Sequence, residues 1–443
     1  MYVIVVGAGE VGSTIAANLA GEHEVAVVDL DPDLVESLTY DLDVLPVEGD
    51  GTRLDTLREA GIEKADMLIA STDDDETNVV TCGTAVTAGD PFTIARVKNV
   101  RFLETWQHSE GAFGVDFMVC TDLETAEAIV RVVGLPAASD VDTFADGAVR
   151  MAQFEVPEGS PVANTTVAEA DRFEQLTFAA ILREEEFVIP RGDTEIQEGD
   201  DLVVIGAPES VRAFGGDLAP REGGPRDVVI LGGSDAAYET ARLLEERGFS
   251  PRLVERDPER ARDLAEALPD TTVFEQDATD REFLESEHVG EADVAVAALD
   301  SEQRNLLASL LAKQLGVDRA IAVVDTAEYV EVFEAVGVDV AVNPRTITAE
   351  EITRFTRERH TENVAIIEGD RAEVIEVEVD ETSVLAGRTI RDAVADLPEG
   401  IVIGAITRGG EFVTPRGDTR VEVGDHVVLL AERDAIEAAM SAL

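Results

Sequence analysis

Val3-Ile4-Val5-Val6-Gly7-Ala8-Gly9-Glu10-Val11-Gly12 sets an apolar run against a glycine turn, and Asp29 closes the next apolar run about twenty residues on. The first run suits a strand buried on both faces, and the residues after Gly9 suit a helix. Strand, glycine turn, helix and a following acid together form a dinucleotide-binding pattern in which each part has a physical role. Gly7 permits the tight turn, Gly9 lets backbone approach a pyrophosphate, and Gly12 allows the helix to pack closely on the sheet. Phosphates would sit at the helix N-terminus, where free N–H groups and the helix dipole favour anions. Asp29 is placed to accept hydrogen bonds from the adenosine ribose hydroxyls. A 2′-phosphate would be repelled there, so NAD(H) or an adenine nucleotide such as ATP or ADP is favoured over NADP.

Outward from this segment, strands are expected at Val25–Asp29, Val44–Val47, Met67–Ala70, Thr93–Val97 and Phe117–Val119. Amphipathic helical patterns fill the gaps at Val11–Ala20, Leu34–Tyr40 and Thr77–Ala88. Strands alternating with helices predict an α/β fold, a doubly wound parallel sheet. Ligands of such sheets bind at the carboxyl edge, which here would carry Gly49-Asp50-Gly51-Thr52 and Ser71-Thr72-Asp73-Asp74-Asp75-Glu76-Thr77-Asn78. Helix capping alone would also account for Thr52, Asp74 or Asp75.

After Pro136 the pattern becomes short β-branched runs broken by Gly, Asp and Pro: Met151–Val156, Leu176–Arg183, Phe187–Pro190 and Asp201–Gly206. A small, β-rich α+β domain with one or two helices follows from that. Ala219-Pro220-Arg221-Glu222-Gly223-Gly224-Pro225 has linker composition. Pro190-Arg191-Gly192-Asp193-Thr194 then recurs as Pro415-Arg416-Gly417-Asp418-Thr419, 225 positions later, and Gly199 recurs as Gly424 at the same offset. Gly7 aligns with Gly232, Asp50 with Asp277 and Asn78 with Asn305. The chain is therefore a tandem duplication, with domains expected at 1–120, 138–219, 226–345 and 361–443. In the second copy Ser234 stands at the second glycine position, Ala237 at the third, and Glu255 replaces Asp29. Asp300 matches Asp73, whereas Thr72 has become Leu299. Gly232, Ser234, Glu255, Asp277 and Asp300 thus form a weakened second candidate site, which either binds with altered preference or serves as scaffold.

The 443 residues carry 93 acidic against 35 basic side chains, a net charge of −58, with Lys64, Lys98 and Lys313 the only lysines. Such a charge repels itself unless salt screens it, so the composition is read as adaptation to a high-salt cytoplasm. Nucleic acid and anionic lipid are disfavoured as direct partners. No apolar run is long enough to span a bilayer, and Met1-Tyr2-Val3 enters a strand without a basic leader, so an unexported protein is expected. Cys82 and Cys120 offer neither a disulfide framework nor a metal-ligand spacing. His23, His108, His288, His360 and His426 have no partner motif and no counterpart at the repeat offset. No acid–base group or substrate clamp of the kind a dehydrogenase requires is visible, so the chain is not expected to be an enzyme.

Taken together, the opening Gly-Ala-Gly-Glu-Val-Gly, the Gly49–Thr52 turn, the Thr72–Asn78 loop, Ala95-Arg96-Val97-Lys98 and the two Gly-Asp turns resemble the tandem regulator-of-potassium-conductance family. This family, also called RCK or KTN, comprises peripheral potassium-uptake regulators, and the resemblance covers essentially the whole chain. It implies two units, each a Rossmann-like subdomain followed by a β-rich one. It also implies a cytoplasmic homo-oligomeric ring, dimer or tetramer, that binds NAD(H) and ATP or ADP. The ring would gate an integral membrane potassium transporter of the TrkH or KtrB kind, held at the inner face of the membrane through that partner. Carried over by motif, Gly7, Ala8, Gly9, Glu10, Val11 and Gly12 form the pyrophosphate turn and Asp29 holds the ribose. Asp50, Gly51, Thr52, Thr72 and Asp73 contact the rest of the ligand, with Arg96 and Lys98 as basic contacts. A gating module for another potassium channel or transporter is the alternative, with a dehydrogenase or an inert scaffold further behind.

Overall fold

The computed structural model describes all residues except 22, 109–111, 136–137, 158, 184–185, 219–226, 359–362, 368–371, 399 and 437–443. The expected linker at 219–225 and the break at Pro136 lie outside the described residues. The chain forms two compact units, one from 1–130 with 227–353 and the other from 131–226 with 354–443.

In the first unit the leading α/β domain holds strands β1 (Tyr2–Val6), β2 (Glu24–Asp29), β3 (Val44–Glu48), β4 (Met67–Ala70), β5 (Phe92–Val97) and β6 (Phe117–Cys120). Their order is β3-β2-β1-β4-β5-β6, and every pairing is parallel. Between them run α1 (Glu10–Ala20), α2 (Pro32–Asp41), α3 (Leu54–Glu59), α4 (Asp75–Ala88) and α5 (Val100–Gln107), and α6 (Thr121–Val133) follows β6. The strand order reverses between β1 and β4, and that reversal opens a crevice at their carboxyl ends. β1 and β4 are buried along their whole length, which is why Val3–Val6 and Met67–Ala70 read as unbroken apolar runs.

In chain order the second copy has β12 (Val228–Leu231), β13 (Arg252–Glu255), β14 (Thr272–Glu275), β15 (Val294–Ala297), β16 (Arg319–Val323) and β17 (Val340–Val342). They are ordered β14-β13-β12-β15-β16-β17, the same topology. Its helices are α9 (Asp235–Glu246), α10 (Pro258–Ala267), α11 (Arg281–Ser286), α12 (Glu302–Leu315), α13 (Val330–Ala335) and α14 (Pro344–Glu358).

The second unit holds two five-stranded antiparallel sheets. The first runs β10-β9-β11-β8-β7, from β7 (Ala138–Phe144), β8 (Val149–Glu155), β9 (Leu176–Arg183), β10 (Glu186–Val188) and β11 (Asp201–Gly206). The second runs β18-β19-β22-β20-β21, from β18 (Asn363–Ile367), β19 (Ala372–Glu378), β20 (Ile401–Arg408), β21 (Glu411–Val413) and β22 (His426–Glu432). The short helix α7 (Val167–Ala170) carries a capping box, in which Thr166 and Glu169 satisfy each other's backbone N–H groups. α8 (Pro208–Leu218) packs through Phe214, which meets Phe154, Phe173 and Phe178 edge to face. The counterpart of α7 is α15 (Ile390–Val394). The inner faces of the two sheets share one core that includes Met151, Val203, Ile205, Val374, Val428 and Leu430.

The repeated Gly-Asp turns are built for structure. Asp200 is 1% exposed and receives a two-pronged contact from Arg183 at 2.7 Å. Asp425, equally buried, receives the same from Arg408 at 2.8 Å. Strand β7 is a difference from expectation: Ala138-Ser139-Asp140-Val141-Asp142 is too acidic to read as a strand, but its Ala138, Val141 and Phe144 turn inward. Among the described residues, no helix is long and apolar enough to cross a membrane.

Candidate functional site

The mouth of the first α/β domain lies at the β1/β4 reversal. Gly7 takes φ 104°, and a Cβ there would come within 2.9 Å of the Thr72 nitrogen. A Cβ on Gly12 would stand 1.8 Å from the Gly7 carbonyl oxygen. Gly9 differs, since a Cβ there meets nothing within 4 Å; its outer face is open. Ala8 and Val11 are buried, so their side chains belong to the packing and they offer a ligand only backbone.

Asp29 reaches back across the mouth, accepting from the Ala8 N–H at 2.6 Å and from the Asp31 N–H at 2.9 Å. Asp50 closes a tight loop by accepting from both the Thr52 N–H and its hydroxyl, and those bonds hold its carboxyl below the usual range. Gly51 follows Asp50 at the same edge. Thr72 gives both its N–H and its hydroxyl to the Asn78 Oδ1, at 2.9 and 2.7 Å. Asp74 caps α4 through the Thr77 N–H, and Asp75 accepts from the Lys98 and Asn99 N–H groups. These two acids are therefore structural.

Arg96 is only 3% exposed. It donates to Thr121 Oγ1, to the Ser71 carbonyl and to Asp73, so its guanidinium ties the ends of β4, β5 and β6 together. Burial works against its charge, and Asp73 offsets that. Lys98 is half exposed, 3.9 Å from Asp73, and is the more available cation.

Sequence reading alone did not assign roles to Asn78, Leu30 or Arg345. Asn78 is fully buried, and its amide donates to the Thr72 and Arg96 carbonyls, bracing two loops of the mouth. Asn305 likewise accepts from the Leu299 N–H and donates to the Val323 carbonyl, so the repeat held the clue. Leu30 directly follows Asp29 and is 72% exposed. Arg345, at the start of α14, pairs with Glu10 at 2.6 Å.

At the second mouth the chain's own arginines pair with the acids. Arg304 bridges Asp277 at 3.0 Å and Asp300 at 3.1 Å, and Arg256 adds a contact to Asp300 at 3.0 Å. Arg260 donates to the Gly233 carbonyl and to Asp235, both at 2.7 Å. Ser234 caps α9 by accepting from the Ala237 N–H. Glu255 accepts from the Asp257 N–H. Arg256 and Arg260 occupy the positions of Leu30 and Leu34 in the first copy, counted from Pro258 and Pro32. Gly232 keeps the left-handed turn with φ 115°, but Asp235, Asp277 and Asp300 each have a guanidinium partner.

Beside the second mouth, a cleft of about 870 Å³ is lined in part by Lys98, Asp122, Asp235, Glu239, Arg242 and Arg260. Burial, and then the like charge of Asp235, push the Asp122 carboxyl up to about 6 from 3.8, while Lys98 works the other way. The folded state therefore holds this proton more tightly than the unfolded chain does. Its contribution to stability is full below about pH 4 and is lost as pH rises through 6. Asp122→Asn is accordingly expected to stabilise the protein at pH 7.5 by on the order of 1–2 kcal/mol, and the gain should shrink toward pH 4. Melting curves in molar KCl across that range measure it; a gain that grows on acidification contradicts the assignment.

Neither thiol is poised as a nucleophile. Burial pushes Cys82 far up and Cys120 up to about 12. His108 meets the Glu104 carbonyl, His288 meets Glu291 and His426 meets Glu376. His360 lies outside the described residues.

Residues 3–120 and 228–344 match the TrkA-N domain family, and 151–216 and 374–443 match the TrkA-C domain family. The class is thus a tandem repeat of one TrkA-N and one TrkA-C domain. A Trk system potassium uptake protein TrkA homolog of Archaeoglobus fulgidus is 37% identical over 437 residues, covering 99% of this chain and 98% of that protein. The Trk system potassium uptake protein TrkA of Azorhizobium caulinodans is 35% identical, covering 99% and 97%. The chain belongs to the TrkA family of Trk-system potassium uptake proteins. In fold it resembles the GsuK RCK domain (TM-score 0.62, 19% identity, 100% of this chain and 95% of that one). It also resembles the GsuK channel bound to NAD (TM-score 0.61, 19% identity, 100% and 78%).

Proposed function

We propose that this chain is the nucleotide-sensing regulatory subunit of a Trk-type potassium transporter and that its first α/β domain, residues 1–120, carries the sensing site. The observation that carries the reading is the contrast between the two mouths: Gly9 faces open space beside Asp29, while arginines occupy the second. NAD(H) or an adenine nucleotide, ATP or ADP, fits the first mouth. Its phosphates would lie on the Gly7–Gly12 turn at the α1 N-terminus, its ribose on Asp29, and its adenine against the exposed Leu30. Asp50, Gly51, Thr52, Thr72, Asp73 and Lys98 frame the rest, with Arg96 and Asn78 holding that frame rigid. Gly232, Ser234, Glu255, Asp277 and Asp300 act as scaffold. One GsuK channel structure is bound to NAD, which supports the class of ligand.

The ligand is read and left chemically unaltered. Nucleotides with different affinities for two arrangements of the domains shift the population between them, and only that difference can drive gating. A homo-oligomeric ring of such chains, on the cytoplasmic face and docked to a membrane potassium transporter of the TrkH or KtrB kind, would transmit the shift. The fold-level likeness to a channel's RCK domain favours one second reading, gating of a channel, which co-purification from native membranes distinguishes.

Calorimetric titration with NADH, ADP and ATP in molar KCl is expected to give one nucleotide per chain. Asp29→Ala should weaken binding by about 1–3 kcal/mol, roughly 5- to 150-fold. Two sites per chain, or full affinity in Asp29→Ala, overturns the reading.

A further inference from the structure

The first mouth is not walled by its own domain alone. Glu10, the first residue of α1, is held by two groups of the second α/β domain. Its Oε2 accepts from Arg345 Nη1 at 2.6 Å and its Oε1 from the Ala327 N–H at 3.0 Å. Arg345 is fixed at its root, because Asn343 caps α14 by accepting from the Arg345 and Thr346 N–H groups at 2.9 and 2.8 Å. Thr348, one turn further along α14, donates to Thr121, which itself receives Arg96. Arg345 also lies within electrostatic range of Asp73 and Arg96. The start of α14 is therefore keyed to the rim of the first mouth.

Two features point to an anion at this junction. The side-chain Nδ2 of Asn343, a residue 6% exposed, is a buried donor with no acceptor among the described residues. And Glu10 stands at the helix N-terminus, where a phosphate would come to rest, so phosphate and Glu10 compete for the same guanidinium.

Resting on the reading above, we propose that Arg345 is a specificity-determining residue of the first site. When a nucleotide brings a terminal phosphate to the α1 N-terminus, the guanidinium exchanges Glu10 for phosphate oxygens, with Asn343 as a second donor. A dinucleotide, whose diphosphate is esterified at both ends and carries less charge, competes less well for it. The exchange breaks a bond between the two α/β domains in response to phosphate charge. Ligand identity in one copy is thereby reported to the other.

The test is calorimetric titration of the full chain in molar KCl with ATP, ADP and NADH, on wild type, Arg345→Gln, Arg345→Lys and Glu10→Gln. Arg345→Gln is expected to lower ATP affinity at least about tenfold and NADH affinity less than about threefold, since a charged fork onto phosphate is lost. Arg345→Lys should recover part of the loss, and Glu10→Gln should raise ATP affinity by removing the competitor. An equal loss for all three ligands, or none, overturns the proposal while leaving the site in place. A wild type that binds none of them overturns the site reading and the proposal with it. If Arg345→Gln fails to fold, Glu10→Gln decides: unchanged or weakened ATP binding overturns the exchange.

Discussion

Gly12→Ala is expected to disrupt the first α/β domain, whereas Gly9→Ala, three residues away, leaves it folded and deprives it of nucleotide. The two glycines look alike in sequence and differ in what surrounds them. At Gly12 the added methyl would lie 1.8 Å from the Gly7 carbonyl oxygen and 2.9 Å from the Ser71 hydroxyl. Neither the turn nor the helix can retreat without unseating Val11, Ile15 and Leu19 from the core. A loss of more than about 3 kcal/mol is expected, at the severe end of overpacking. At Gly9 the backbone has φ −67° and ψ −173°, an ordinary extended conformation for alanine, with nothing to strike. Stability should stay within about 0.5 kcal/mol. The methyl instead projects where a diphosphate would lie against the backbone, and a tenfold or greater affinity loss, about 1.4 kcal/mol, is expected. Denaturant melts and nucleotide titrations on both variants separate the effects. Full binding by Gly9→Ala would show that no ligand approaches that turn.

A second large effect is expected from salt. With a net charge of −58, the folded chain confines like charges that the unfolded chain can spread apart. Screening decides the outcome: the Debye length is about 10 Å at 0.1 M salt and about 3 Å at 1 M. The intrachain ion pairs work against this trend, since salt weakens exposed pairs too, but each such pair contributes at most about 1 kcal/mol. Repulsion summed over the surface outweighs them. Raising KCl from 0.1 to 2 M should therefore raise the melting temperature by on the order of 10 °C or more, several kcal/mol for a chain of this size. A melting temperature that falls or stays flat would mean that ion pairing, not repulsion, governs this surface.

Much of the architecture was legible because it rests on local patterns. Val3–Val6 and Met67–Ala70 are buried on both faces, so their apolar runs announce parallel strands. The 225-residue recurrence of Pro-Arg-Gly-Asp-Thr announces the duplication. What stayed hidden depends on partners distant in sequence. Nothing near Arg304 signals that it will bridge Asp277 and Asp300, so the sequence left open whether the second mouth binds with altered preference or serves as scaffold. Arg96 was expected as a basic contact to the ligand, and that it is 3% exposed could not be read in advance because side-chain burial is not local information. The grouping of like with like, α/β domains in one unit and β-rich domains in the other, is likewise invisible to a reading that follows the chain half by half. Arg345 is 335 residues from the Glu10 it meets, and only folding brings them together.

The two junctions at the helix starts are unequal twins. At one, an acid of the first copy meets an arginine of the second; at the other, Asp122 and Asp235 bring acid toward acid. Asp122 is the second residue of α6 as Arg345 is of α14, so two identical first copies joined about an axis would set Glu10 against Asp122 at both junctions. Fusing the copies into one polypeptide frees each junction to diverge, so that one fastens and the other strains. In this chain the join between the halves lets the two junctions carry different charges, a freedom that identical, interchangeable subunits lack.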